Sequence, residues 1–296
     1  MLDLQFHDIT TDKLSTGLPE EKDIEVSVLR ADKIHPVISG NKWFKLKFYL
    51  QEAIALNKKT IITFGGAWSN HIIATAAACK LNKLGAIGII RGEEAANLSP
   101  TLVQAKDLGM QLFFICRDDY RQKKIPPTLQ NPGYYFINEG GYGIKGAEGA
   151  AILLDHCDKK NYTHICCAAG SGTMMAGLIK GTLPIQQVIG ISVLKNNMSL
   201  EKEVGSLLDD DQKSFHIVHN YHFGGYAKHT KELIDFMNDW YRQTNIPSDF
   251  VYTGKLFYAV ADLVKNNFFP AGSKLLLIHS GGLQGNASLI KGTLIF

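Results

Sequence analysis

Lysine is the common side chain that forms a Schiff base with an aldehyde, and it does so when partial desolvation keeps its amine neutral. Lys42 is placed for that chemistry. It follows Ser39-Gly40-Asn41 and precedes a helical pattern opening Trp43-Phe44-Lys45-Leu46, whose aromatic rings can shield it. A second segment, Gly65-Gly66-Ala67-Trp68-Ser69-Asn70-His71, sets Ser69 and Asn70 at a helix start. A third, Ala168-Ala169-Gly170-Ser171-Gly172-Thr173, joins a buried-strand pattern to another helix. Glycines there let backbone N–H groups converge on an anion, the helix N-terminus adds its dipole, and Ser171 and Thr173 add hydroxyl donors. Two later segments bring more hydroxyls: Val251-Tyr252-Thr253-Gly254-Lys255 ahead of a helix, and Ile278-His279-Ser280-Gly281-Gly282 at a strand end.

An amine for an aldehyde, a polar turn and a loop for one phosphate together describe a site for pyridoxal 5'-phosphate. The glycine loop has neither the GK[ST] ending of a nucleotide P-loop nor a full GxGxxG, and no acidic residue is placed for a ribose. A single phosphate therefore fits it better than a dinucleotide. Each segment also has a plain structural reading. On spacing alone Lys42 is one more surface lysine, like Lys45 and Lys47. The glycine loop is then a capping turn, Ser69 and Asn70 are helix caps, and the late motifs are turns.

The elements that must carry these residues alternate. Strands are expected at Ile61–Phe64, Ala86–Ile90, Gln111–Cys116, His164–Ala168, Val188–Val193, Ser214–Val218 and Lys274–His279. Helices are expected at Ser69–Lys83, Asn97–Leu108, Gly143–Cys157, Thr173–Lys180 and Lys228–Gln243. The apolar runs are continuous rather than alternating, which suits parallel strands covered by helices on both faces. The pattern predicts an α/β doubly wound architecture with ligands at the carboxyl ends of the strands. Arg117 to Gly133 reads as an exposed connection. Residues 51–155 are expected to form a smaller inserted α/β domain, and residues 1–50 with 156–296 the larger cofactor-binding one.

Bulk properties narrow the class. The chain has 296 residues, 45% hydrophobic and 20% charged, with a formal net charge of only +3. That balance gives no footprint for nucleic acid or an anionic membrane. Clusters such as Lys58-Lys59, Lys123-Lys124 and Lys159-Lys160 read as solvated surface. The five cysteines match neither a zinc spacing nor a CxxC motif, so no metal site is expected; Cys166-Cys167 reads as buried strand. No apolar stretch approaches bilayer length, and Met1-Leu2-Asp3-Leu4 does not open a signal peptide. A cytoplasmic protein with reduced thiols is expected.

Taken together, the motifs resemble those of the 1-aminocyclopropane-1-carboxylate deaminase and D-cysteine desulfhydrase family. Its members are pyridoxal phosphate enzymes related in fold to the tryptophan synthase β subunit (fold type II). The family pattern runs GNK, GG-x-x-SNH, EGG, GSGGT, GYG, Y-x-GK and H-T/S-GG. The chain has Gly40-Asn41-Lys42, Gly65 to His71, Glu139-Gly140-Gly141, Gly170 to Thr173, Gly225-Tyr226, Tyr252 to Lys255 and His279 to Gly282, in that order and nearly end to end. The resemblance implies two doubly wound domains, a homodimer, and a small amino acid as substrate, converted to a 2-oxo acid and ammonia. It makes Lys42 the Schiff-base lysine and proton shuttle. Asn70 would bond the ring hydroxyl, and Gly170, Ser171, Gly172 and Thr173 would hold the phosphate. Ser69, Tyr226 and Tyr252 would face the substrate, and Thr253 or Ser280 the pyridine nitrogen.

The chain departs from that pattern at four places. Trp68 replaces a glutamine, and an indole cannot accept a hydrogen bond. The phosphate loop is one glycine short, and Ala227 stands where the GYG motif ends in glycine. Thr253 stands where true deaminases carry an acidic residue. A neutral hydroxyl leaves the ring a weaker electron sink, which suits α,β-elimination of a good leaving group better than opening a cyclopropane. A D-cysteine desulfhydrase-like elimination is thus favoured, with ring opening as the alternative. Two rivals of other classes are a non-catalytic binder of pyridoxal phosphate or another phosphorylated metabolite, and a nucleotide-dependent dehydrogenase.

Overall fold

The computed structural model describes residues 8–15, 23–209 and 215–296. Met1 to Leu4, and Ser214 at the start of one expected strand, lie outside the described residues. Two sheets form the frame. The first has six strands in the order β1 (Thr11–Lys13), β2 (Glu25–Leu29), β10 (Lys274–Ile278), β7 (His164–Ala169), β8 (Gln187–Ser192) and β9 (Phe215–Val218). The second has four, in the order β5 (Met110–Ile115), β4 (Gly85–Arg91), β3 (Thr60–Gly65) and β6 (Tyr134–Ile137). All the pairings are parallel except that of β1 with β2. The doubly wound, mostly parallel α/β fold is therefore as expected.

The continuous apolar runs behave as parallel strands should. Every residue of β7 is buried, including Cys166 and Cys167, and so is β3 beyond its first residue. Both faces of such strands are covered by helices, so alternation would leave polar groups unsolvated. The covering helices are α1 (Asn41–Ala55), α2 (Asn70–Leu81), α3 (Pro100–Asp107), α5 (Ile144–Ala151), α6 (Thr173–Gly181), α8 (Lys231–Thr244) and α9 (Thr253–Lys265). Between them lie two short ones, α4 (Arg117–Arg121) and α7 (Leu200–Gly205).

Helix starts follow the capping residues. Ser69 Oγ accepts the Ile72 N–H to open α2, Ser99 Oγ accepts that of Leu102 with Pro100 in the first turn of α3, and Thr230 Oγ1 caps α8. The expected helices at Asn97 and Lys228 therefore begin about one turn later, where the hydroxyl rather than the preceding polar residue does the capping. Helix α1 lies close against α5: a Cβ at Gly149 would stand 2.0 Å from the Phe44 carbonyl oxygen. That approach closes a layer over Trp43, Phe44, Lys45 and Leu46. The connection from Arg117 to Gly133 is more structured than expected, because it contains α4 and buries Tyr120 and Leu129 under the second sheet.

The turns singled out above all leave carboxyl ends of strands or open the helices that follow. Loops after β3, β6, β7 and β10 surround one cavity, where parallel α/β sheets place ligands.

Candidate active site

The cavity has a volume of about 780 Å³, within the range of small-molecule sites. Lys42, Ser69, Asn70, Gly170, Ser171, Gly172, Tyr226, Tyr252 and Ser280 all line it. Thr173 sits buried just behind, with its Oγ1 3.1 Å from Ser171 Oγ. Thr253 does not line the cavity. The sequence reading put its motif in a turn ahead of a helix, whereas Thr253 is the first residue of α9 and fully buried. Its hydroxyl accepts the Asp249 N–H at 2.8 Å and faces Asp249 Oδ2 at 3.4 Å.

Lys42 lies in the first turn of α1, and its Nζ donates to Asn41 Oδ1 at 2.8 Å. Protein encloses it and its exposure is to the cavity, so burial pushes its amine down to about 8 against the opposing pull of Asp249. Asn41 Nδ2 reaches Met174 Sδ at 3.1 Å. That contact ties the lysine's turn to the start of α6, although the two are far apart in sequence. On the other side, Asn41 N–H donates to Ser280 O at 3.2 Å, and Gly40 fits there because it has no side chain. Ser280 is fixed from behind by buried His279, whose Nε2 donates to Pro247 O at 2.7 Å and whose Nδ1 accepts the Gly281 N–H at 3.3 Å.

The anion loop follows β7. Gly172 takes φ +73° as the residue before α6, a left-handed turn that glycine makes without strain. The loop before α6 and the Ser171 hydroxyl thus face the cavity, with the Thr173 hydroxyl behind them against Ser171 Oγ. Lys45 completes this end, and here the expectation of a surface lysine was wrong. It is buried, lines the cavity, and among the described residues its Nζ has one long contact, 3.4 Å to Gly140 O. Burial, then the neighbouring Lys42, holds its amine well below the usual range. A position three residues beyond Lys42 on one helix face was the available signal. A buried amine with a single long contact suits a phosphate dianion, which would favour its charged form, better than an empty pocket.

Asn70 and His71 complete the wall. Asn70 Oδ1 is buried with no hydrogen-bond partner among the described residues. The Thr63 hydroxyl donates to Ile137 O at 2.8 Å, so at 2.9 Å it accepts from His71 Nε2. That assignment leaves His71 Nδ1 as a buried acceptor with no partner among the described residues. Burial and the two lysines push this histidine down to about 3, so it stays neutral. The cavity therefore holds unspent hydrogen-bonding capacity beside an amine and an anion loop, which is what a phosphorylated polar aldehyde requires. The residues present fit pyridoxal phosphate.

Tyr226 and Tyr252 meet edge to face with centroids 6.2 Å apart. Burial raises both phenols above their ordinary range, Tyr252 the more. Asp249, which no local motif announced, is fully buried and accepts the Tyr252 N–H at 2.7 Å and the Thr253 N–H at 3.2 Å. Burial lifts its carboxyl to about 6, with those bonds pulling the other way. Lys255 is also buried and donates to His222 O at 2.8 Å and Gly225 O at 2.7 Å, which fastens the turn bearing Tyr226.

Comparison with known proteins agrees with this geometry. Residues 14–281 match the family model described as pyridoxal-phosphate dependent enzyme, and the chain belongs to that family. It is 30% identical to a Pyrococcus abyssi protein provisionally named 1-aminocyclopropane-1-carboxylate deaminase, over 90% of this chain and 87% of that one. It is 28% identical to a mitochondrial protein of Arabidopsis thaliana named bifunctional D-cysteine desulfhydrase/1-aminocyclopropane-1-carboxylate deaminase, over 91% of this chain and 74% of the other. A crystal structure titled as an ACC deaminase homologue superposes with a TM-score of 0.81 at 27% identity, covering 96% of this chain and 92% of that one. The Helicobacter pylori O-acetylserine-dependent cystathionine beta-synthase shares the fold, with a TM-score of 0.70 at 15% identity over 96% of both chains. Among the described residues no helix is long and apolar enough to cross a membrane.

Proposed function

We propose that the protein converts a small amino acid to a 2-oxo acid and ammonia by D-cysteine desulfhydrase-like α,β-elimination. For D-cysteine the balance is one water consumed, with pyruvate, ammonia and hydrogen sulfide released. The observation that carries this reading is Lys42, an enclosed lysine with a depressed pKa that shares a cavity with the α6 anion loop. Bound pyridoxal phosphate supplies the electron sink for the carbanion. Lys42 Nζ would hold the cofactor through its aldehyde, and its amine is the group placed to move the proton at the substrate's Cα. Lys45, Ser171, Thr173 and the α6 backbone hold the phosphate, and Asn70 holds the ring hydroxyl. Ser69, Tyr226 and Tyr252 orient the substrate. Of the two hydroxyls considered for the pyridine nitrogen, we favour Ser280, because Asp249 already occupies that of Thr253. A neutral group there favours elimination.

Ring opening of 1-aminocyclopropane-1-carboxylate is the second reading, supported by the names of the Pyrococcus and Arabidopsis relatives. We further infer a homodimer, a smaller unit over residues 51–155 beside a larger one over 1–50 and 156–296, and a cytoplasmic setting. The four-stranded sheet within residues 60–137 and five unpaired cysteines support the last two.

The test is direct. Borohydride treatment of the cofactor-loaded protein should fix the cofactor's mass on the Lys42 peptide. D-cysteine should yield sulfide and pyruvate faster than 1-aminocyclopropane-1-carboxylate yields 2-oxobutanoate. A Lys42→Ala protein that keeps full turnover refutes the assignment of Lys42, and the opposite substrate preference refutes the elimination reading.

A further inference from the structure

Lys123, Phe136 and Glu139 line the same cavity, and the reaction above gives them no part. Lys123 and Lys124 read in sequence as one solvated pair. Lys124 is that, bonding Asp119 at 2.6 Å on the surface. Lys123 is different. Its backbone takes φ +53° in the left-handed turn that ends α4, as Lys83 does after α2, so its own distinction lies in what its side chain meets. Its Nζ lies 4.1 Å from the Tyr120 ring centroid and 5.2 Å from that of Phe64, and it pairs with Glu139 Oε2.

The other Glu139 oxygen accepts the Tyr120 hydroxyl at 2.5 Å. Phe64 and Tyr120 are buried and meet edge to face at 5.5 Å, and Phe136 packs on Phe64 at 5.7 Å. The ion pair is thus rooted in a fixed aromatic base. Its ends remain open, with side chains 44% and 43% exposed. Glu139 lines the same cavity as Tyr226 and Tyr252, and its charge helps raise both phenols.

Resting on the reading of the previous subsection, we propose that Lys123 and Glu139 form a subsite for the substrate's side chain. It selects amino acids whose β-substituent is an uncharged hydrogen-bonding group, such as a thiol, hydroxyl, amide or ester, and turns away charged ones. The ammonium has three N–H donors and spends one on Glu139; the carboxylate keeps free lone pairs beyond those taken by Tyr120 and Lys123. A neutral dipolar group can bond to both ends. The paired charges offset each other, so a second carboxylate loses to Glu139 much of what it gains from Lys123, and a second ammonium the reverse; neither then recovers the hydration it gives up on entering the cavity, whereas a neutral group gives up little.

The test uses the cofactor-loaded protein and reads binding by the change in cofactor absorbance as amino acids are added. Serine, aspartate and 2,3-diaminopropionate, each as both enantiomers, share a Cα frame and differ in the charge of the β-substituent. The wild type is expected to bind serine most tightly. In Glu139→Gln the aspartate-to-serine affinity ratio should rise roughly fivefold to tenfold, and in Lys123→Met the diaminopropionate-to-serine ratio should rise similarly, as like-charge repulsion is removed. If Lys123→Met does not fold, the near-isosteric Glu139→Gln decides alone. Ratios within twofold of wild type overturn the proposal and leave the pair as a fastener between β5 and β6. If the wild type takes up no pyridoxal phosphate, the reading beneath fails and the subsite falls with it. Uptake with an unmoved ranking sinks the subsite alone.

Discussion

Gly40→Ala probes the contact on which the site depends. A Cβ there would lie 1.8 Å from Ser280 O and 2.1 Å from Ser280 C. Ordinary contact begins near 3.4 Å, so the two turns must part by about 1.6 Å, the difference between those distances. Gly40 also takes φ +65°, ψ −140°, where a side chain costs about 1–3 kcal/mol. Parting the turns breaks the Asn41 N–H bond to Ser280 O, worth about 1 kcal/mol. Crowding against main chain adds about 1–3 kcal/mol. Together these give about 3–7 kcal/mol, or a fall in melting temperature of about 6–14 °C for a chain of this size. Because Lys42 is two residues further on, cofactor uptake should weaken too.

Gly66→Ala is the control, since a Cβ there meets nothing within 4 Å; its melting point should stay within about 2 °C of wild type. Calorimetry and titration with pyridoxal phosphate read both effects. If Gly40→Ala melts like Gly66→Ala and binds the cofactor with wild-type affinity, the close approach of the two turns is not what places Lys42.

Three other outcomes are expected. Lys45→Met should weaken pyridoxal phosphate roughly tenfold to a hundredfold, the worth of a charge-assisted bond, while leaving pyridoxal, which lacks the phosphate, within about twofold by the same accounting; equal losses for both would remove Lys45 from the phosphate. Thr253→Val should lower the melting point without moving the cofactor's absorbance maximum, whereas Ser280→Ala should move the maximum, and the reverse pattern would return Thr253 to the pyridine nitrogen. In the cofactor-free protein, Lys42 has a folded pKa of about 8 against 10.5 unfolded, so between those values the unfolded chain holds more protons. The contribution of Lys42 to stability therefore rises with pH across that window, and Lys42→Met should make the slope of melting temperature against pH less positive than that of the wild type between about pH 7.5 and 10.5; an unchanged slope refutes the depressed amine.

Local chemistry was legible in the residues themselves. A serine ahead of an apolar run caps a helix, as Ser69 and Ser99 do, because the bond spans only three residues. The strand, glycine loop and helix around Gly172 could be read because backbone torsion and dipole act within one turn. Continuous apolar runs announced parallel strands because both faces of such a strand must be dry. Tertiary structure alone decided which residues are covered and what faces them. Lys45 looks like Lys47 along the chain, yet only Lys45 is closed off, where Gly141 brings the loop after β6 against its stem. Asp249 gains its burial from elements scattered along the chain, and Lys123 its partner Glu139 from a turn beyond β6. Burial, and with it the depressed pKa of an amine, is a property of what lies on the other side of a gap, which a string of residues does not contain.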